Sequence, residues 1–82
     1  MKPYSEIAIE VKNLIATTLG QHIDTIDESL AISDLSQDSI KLFELLLAFE
    51  KQYAIETSYE DVLNLNTVAD ITKYVERVKY MH

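Results

Sequence analysis

The stretch from Asp34 to Glu50 constrains what this chain can fold into more than any other. A polar turn leads into a run of apolar residues at helical spacing, which predicts a helix over about residues 38–52. One stripe of this helix is expected to be buried, and Tyr53 extends it: Leu42, Leu45, Leu46 and Phe49. A second strip lies beside it, formed by Ile40, Phe43 and Leu47. A protein this small cannot bury every apolar residue of this helix on one face. The second strip is therefore either a partner-docking face or a further buried side of a central helix.

A first helix is predicted over residues 4–19. Pro3 precedes it and Gly20, the only glycine of the chain, follows it, which is typical of a helix start and a helix end. Its apolar residues recur three or four positions apart: Ile7, Val11, Leu14, Ile15 and Leu19. This spacing favours an amphipathic helix with one face on the core.

Ser58 and Thr67 each have an acid three residues later. This capping pattern predicts a short helix over about 59–64 and a last helix from Val68. One face of the last helix is apolar: Val68, Ile71, Val75 and Val78. The connection over 21–37 is long for a small domain, so it is expected to pack by inserting apolar residues. The candidates are Ile26, Leu30, Ile32 and Leu35.

These elements predict an all-α fold, a small four-helix bundle with a long first loop and a short third helix. The 82 residues are expected to form one domain, spanning 1–82, because a chain of this length is short for more than one. With 48% apolar and 26% charged residues, the composition is typical of a globular protein and not of a disordered one. The chain has no cysteine, so any thiol chemistry would have to arrive on an added group. Glu6 and Glu10 interrupt what would be the apolar core of a signal peptide, and no run is long enough to cross a bilayer. A cytoplasmic protein without membrane insertion is therefore expected.

The net charge of −7 is concentrated in the middle of the chain. Residues 24–61 hold ten acidic residues and only two basic ones, Lys41 and Lys51. This acidic middle repels phosphate backbones, so nucleic acid is not expected as a partner. It favours basic protein surfaces, although the same charge would also serve solubility alone.

The sequence argues against catalysis. It contains no paired-carboxylate, metal-ligand or glycine-rich phosphate signature, so we assign no catalytic and no metal-binding residue. His22 follows the first helix and His82 is the last residue. Neither has a sequence partner for acid–base work, and both are interpreted as surface histidines.

Ser39 is the one residue whose position suggests chemistry. It follows Asp38 at the predicted start of the second helix. Unpaired N–H groups and the helix dipole favour a bound or attached phosphate at such a site. The alternative from the residues alone is that the Asp-Ser pair only caps the helix.

The sequence around this serine resembles that of acyl carrier proteins. Residues 34–40, Asp-Leu-Ser-Gln-Asp-Ser-Ile, resemble the Asp-Leu-Gly-x-Asp-Ser-Leu motif of that family. The resemblance continues through the following helix and into the last one, at Phe43-Glu44-Leu45, Ala48-Phe49-Glu50, Tyr53, Glu56, the Ser58 turn and Thr67-Val68-Ala69-Asp70-Ile71. It covers nearly the whole chain.

The resemblance implies that Ser39 bears 4′-phosphopantetheine, transferred from coenzyme A by a phosphopantetheinyl transferase, with Asp38 as the preceding acid. This arm would carry acyl groups as thioesters in fatty-acid, lipid or polyketide-type biosynthesis. Partners would be acyl-transferring or acyl-activating enzymes with basic docking patches, and the carrier would be a monomer. The partner face is expected to comprise Ile40, Lys41, Phe43, Glu44, Leu47 and Glu50. Leu45, Leu46, Val62 and Ile71 are expected to line a shelter for the acyl chain between the helices.

Three residues depart from the family pattern. Ser36 replaces the usual glycine, which makes the turn less permissive, and Ile40 replaces leucine. Lys41 stands where fatty-acid carriers often have an acid, so a specialised carrier with a dedicated partner is predicted. Two alternatives stay open: a carrier of aminoacyl or peptidyl groups, and an unmodified acidic helical module that binds a basic partner.

Overall fold

The computed structural model describes residues 2–80, apart from the side chain of Tyr59. Within this part the chain forms five α-helices and no strand, which confirms the all-α prediction. The helices are α1 (Tyr4–Leu19), α2 (Ile32–Leu35), α3 (Ser39–Tyr53), α4 (Tyr59–Leu63) and α5 (Val68–Val75). A 3₁₀ turn spans Ile23–Thr25, and a π-helical segment, Glu76–Tyr80, continues α5. None of the helices in residues 2–80 has both the length and the apolar character needed to cross a bilayer.

Helix α1 begins and ends where the sequence predicts. The N–H groups of Glu6 and Ile7 donate to the carbonyl of Pro3 at 3.1 and 3.2 Å. Gly20 ends the helix in the left-handed conformation, with φ of 66°, which its missing Cβ permits. The buried face comprises Ile7, Ala8, Val11, Ile15 and Ala16, while Leu14 and Leu19 are partly buried at its edge. Through this face α1 packs against both α3 and α5.

Helix α3 buries a narrower stripe than the sequence predicts. Leu45, Phe49 and Tyr53 are buried in the core, as expected. Leu42 and Leu46 are only half-buried, so their assignment to the core stripe is wrong. Both residues line a cavity, and the space in front of them is not filled by another element.

The long connection between α1 and α3 is more ordered than a loop. The 3₁₀ turn and α2 were not predicted, because segments of three and four residues are too short to show a period. The expected insertion of apolar side chains is confirmed: Ile26 and Leu35 are buried, and Leu30 and Ile32 pack partly buried against the core.

Backbone hydrogen bonds fasten this connection to the start of α5. The N–H of Ile32 donates to the carbonyl of Asn66 at 2.8 Å, and the N–H of Val68 donates to the carbonyl of Leu30 at 3.0 Å. The N–H of Ala69 donates to the carbonyl of Glu28 at 2.9 Å. These bonds pair backbone groups of Glu28, Leu30 and Ile32 that no regular secondary structure pairs, and they join the connection to the start of α5.

The two predicted capping patterns form to different degrees. At α5 the box is complete: Thr67 Oγ1 accepts from the N–H of Asp70 at 3.2 Å, and Asp70 Oδ2 accepts from the N–H of Thr67 at 3.1 Å. At α4 Ser58 Oγ accepts from the N–H of Asp61 at 3.5 Å, a long contact. The better-capped α5 also carries the larger buried face: Val68, Ile71, Thr72, Tyr74 and Val75. Val78, predicted on the same face, is half-buried.

Candidate functional site

Ser39 is the first residue of α3, and its side chain is exposed to solvent. Asp38 caps the helix, since its Oδ1 accepts a hydrogen bond from the N–H of Ile40 at 2.9 Å. Because Asp38 makes the cap, the Ser39 hydroxyl is not needed for it. This hydroxyl is exposed at the positive end of a fifteen-residue helix. A negatively charged group attached there would be stabilised by the helix dipole.

The turn that precedes Ser39 is held by hydrogen bonds from both sides. Ser36 Oγ accepts from the N–H of Asp38 at 3.1 Å. Gln21 Nε2, from the end of α1, donates to the carbonyl of Leu35 at 2.8 Å. Together with the Asp38 cap, these bonds fix the path of the chain from α2 into α3.

The structure also explains how serine can occupy the position of the motif's glycine. Ser36 has φ of −163°, an extended conformation that any residue adopts. Glycine's freedom is not needed there, and the expected loss of permissiveness has no consequence for this backbone. The serine hydroxyl adds a hydrogen bond that glycine could not make.

An apolar strip of α3 faces solvent beside the serine. Ile40 is 69% exposed, Phe43 55% and Leu47 48%, so this strip is not a further buried side of the helix. Lys41 and Glu44 are exposed along it. Five of the six residues predicted as a partner face are thus accessible together on one side of α3.

Glu50, the sixth predicted partner residue, is placed differently. It is half-buried, and its carboxylate is engaged within the protein. Oε2 accepts from the N–H of Thr57 at 2.9 Å and from the hydroxyl of Thr57 at 3.1 Å. This contact could not be predicted from the sequence, because no periodic rule pairs residues on opposite sides of a helix end.

A cavity of about 160 Å³ opens between α3, α4 and α5. Leu45, Leu46, Val62 and Ile71, the four residues predicted to line a shelter, all contribute to its wall. The wall also includes Ile32, Leu42, Phe49, Ile55, Thr57, Leu65, Tyr74 and Val75. Leu42 lies one helical turn beyond Ser39, so the cavity begins close to the serine.

The two hydroxyl groups in this wall, those of Thr57 and Tyr74, donate hydrogen bonds to carboxylates of the protein. The hydroxyl of Thr57 donates to Glu50, and the hydroxyl of Tyr74 donates to Asp61 Oδ2 at 3.3 Å. Burial raises the pKa of Tyr74, so this side chain is neutral at pH 7. The cavity is therefore an apolar, uncharged space.

His22 plays no part in this arrangement. It is exposed, as predicted, and its Nδ1 accepts from the N–H of Asp24 at 3.3 Å. His82 lies outside the described residues.

Comparison with known proteins identifies the family. Residues 10–75 match the model of the phosphopantetheine attachment site family. The chain is also 38% identical over 68 residues to an acyl carrier protein of Chlamydia muridarum (strain MoPn / Nigg), a match that covers 82% of this chain and 88% of that protein. The chain belongs to the acyl carrier protein family.

This membership confirms the resemblance drawn from the sequence. The cofactor of the family is 4′-phosphopantetheine, and its members are carriers on which enzymes act, not enzymes themselves. The carrier is therefore handled by a phosphopantetheinyl transferase and by acyl-processing enzymes.

The residues around Ser39 fit the phosphopantetheine group. An exposed hydroxyl at a helix N-terminus suits a phosphodiester, and the cation of Lys41 lies in the same first turn. The apolar cavity that starts at Leu42 gives the carrier a place for an attached chain. No residue of the described chain needs to move for the hydroxyl to be reached.

Proposed function

We propose that this carrier holds acyl groups as thioesters on a 4′-phosphopantetheine arm attached to Ser39. The observation that supports the assignment best is the exposed serine at the start of α3, one turn from an apolar cavity. Asp38 serves as the preceding acid, which caps the helix and leaves the serine hydroxyl unengaged by the cap. The attached arm supplies the thiol that this cysteine-free chain lacks.

The cavity favours a hydrocarbon chain as cargo over an aminoacyl group. Each methylene group of an attached acyl chain that is buried in the cavity stabilises the acylated carrier by about 0.8 kcal/mol. A charged amino group would lose its hydration in the same space without a partner, which costs more than the chain gains. A cavity of about 150 Å³ accommodates benzene, so about six carbons fit without expansion of the helices.

We assign the docking of partner enzymes to the exposed side of α3. Ile40, Phe43 and Leu47 provide the apolar contact, and Lys41 and Glu44 provide charges at its edge. Because the cation of Lys41 opposes a uniformly basic partner patch, a partner must match both signs of charge here. This charge pattern supports a specialised carrier that serves dedicated acyl-transferring or acyl-activating enzymes with basic patches. A monomeric state and a cytoplasmic location are further parts of this proposal and do not follow from the charge pattern.

The attachment is tested by intact mass after incubation with coenzyme A and a phosphopantetheinyl transferase. We expect a gain of one phosphopantetheine group in the wild type and none in Ser39→Ala. Ser33→Ala is the matched control, since Ser33 is also an exposed serine near the turn and should leave loading unchanged. No gain with several transferases would overturn the proposal and leave an unmodified interaction module.

A further inference from the structure

We propose that Glu50 sets the length of acyl chain that the cavity accepts, by holding the turn from Ala54 to Thr57 against the end of α3. The inference rests on the proposed function, since it concerns the cavity assigned above to the acyl chain. It gives Glu50 an internal role in cargo selection in place of partner docking.

Glu50 is the main anchor of this turn. Its backbone carbonyl accepts from the N–H groups of Ala54 and, at 3.1 Å, Ile55. Its side-chain Oε2 accepts from the N–H and the hydroxyl of Thr57, at 2.9 and 3.1 Å. Four hydrogen bonds from three residues of the turn thus converge on one residue of the helix. The two made by the carboxylate can be removed by substitution without a change in the helix backbone.

The turn also forms one wall of the cavity. Ile55 and Thr57 line the cavity, as does Leu42 near Ser39. Glu50 lies eleven residues beyond Ser39 in the same helix, which places it about 16 Å further along the axis. The side of the cavity that Glu50 fixes is therefore the one remote from the attachment point.

The backbone of the turn does not hold this position through its own preferences. Ala54 has φ of 53°, in the left-handed region, which is unfavourable for a residue with a Cβ. The hydrogen bonds to Glu50 compensate for that conformation. Without the carboxylate, Thr57 loses its side-chain anchor, and Ile55 and Thr57 can move away from the cavity to make room for a longer chain.

The test compares carriers loaded with saturated acyl chains of increasing length. The carrier is loaded by a phosphopantetheinyl transferase from butyryl-, hexanoyl-, octanoyl- and decanoyl-coenzyme A. The thermal midpoint of each product is then measured against the form loaded from coenzyme A alone. In the wild type we expect the gain in midpoint to level off at about six carbons, where the cavity is full. In Glu50→Ala we expect it to continue for at least about two carbons more.

Three further variants separate this role from a general loss of stability. Glu50→Gln retains an acceptor oxygen for Thr57 and should keep the wild-type profile. Thr57→Val keeps the shape but loses the hydroxyl, and it should shift the profile in the same direction as Glu50→Ala. Glu56→Ala removes an exposed carboxylate from the same turn and should leave the profile unchanged.

The inference is overturned if Glu50→Ala and Thr57→Val load, fold and retain the wild-type profile. It is equally overturned if Glu56→Ala shifts the profile as far as Glu50→Ala does. Failure of Ser39 to accept any pantetheine group is a different outcome, visible by mass before any melting experiment, and it would overturn the proposed function itself.

Discussion

Leu45 and Leu46 are neighbours in α3, and their surroundings differ. Leu45 is buried to 4% exposure in the core, between α3 and the rest of the bundle. Leu46 is only half-buried, although both side chains line the cavity. A side chain that stays partly in contact with water removes less apolar surface from solvent on folding, so the two leucines contribute unequally to stability.

We predict that Leu45→Ala lowers the free energy of unfolding by about 2–5 kcal/mol, the usual cost of truncating a core leucine. Leu46→Ala is expected to cost less than half as much, roughly 1 kcal/mol, because its side chain is only partly removed from water. Chemical denaturation of the unloaded protein measures both values. Equal losses in the two variants would show that Leu46 belongs to the core after all.

Helix α3 shows what the sequence can and cannot predict. Its period predicts the core residues Leu45, Phe49 and Tyr53 and groups Ile40, Phe43 and Leu47 on a second strip, but residue spacing alone did not decide whether that strip is exposed. The period could not show that Leu42 and Leu46 border a cavity, since an empty space and a packed neighbour leave the same apolar pattern. Likewise, the Glu50–Thr57 contact depends on how the chain reverses after the helix, which tertiary packing decides.

The predicted docking side of α3 is tested by charge reversal. Glu44→Lys places a second cation beside Lys41, and we expect kcat/KM for loading by the transferase to fall by about threefold to tenfold. The effect should shrink as salt increases, because the interaction is between exposed charges. Glu6→Lys, on the exposed side of α1, makes the same change in net charge and serves as the control. Equal kcat/KM in the wild type and Glu44→Lys would refute this surface.

Helix α1 connects the two helices that position the site, α3 and α5. It packs on α3, which carries Ser39, and on α5, whose start is fastened to the connection before Ser39. The Cα radius of gyration of 11.6 Å agrees with the about 12 Å expected for a compact domain of this length. Ser39 is therefore positioned by elements that contact one another. The N-terminus of α5 is the joint between the bundle and the connection that precedes Ser39.

Asp70 makes this joint sensitive to acid. Hydrogen bonds from the backbone N–H groups of Asn66 and Thr67 hold the pKa of its carboxyl below the ordinary value of 3.8. The stability that it contributes is present above that value and is lost as pH falls through the lower pKa of the folded state. We predict that Asp70→Asn is less stable than the wild type at pH 7 and that the difference narrows below about pH 3.8. Denaturation at several pH values measures it, and a difference independent of pH would contradict the assignment.

Three sides of α3 already have a role: one packs in the core, one lines the cavity, and one exposes the apolar strip to solvent. Few of its fifteen positions have none of these roles, among them Ala48 and Gln52. A related carrier could therefore acquire a new cargo or a new enzyme more readily through the turn after α3 than through the helix itself. In this architecture, divergence in specificity would be expected to accumulate around residues 54–57 while the helix sequence stays restricted.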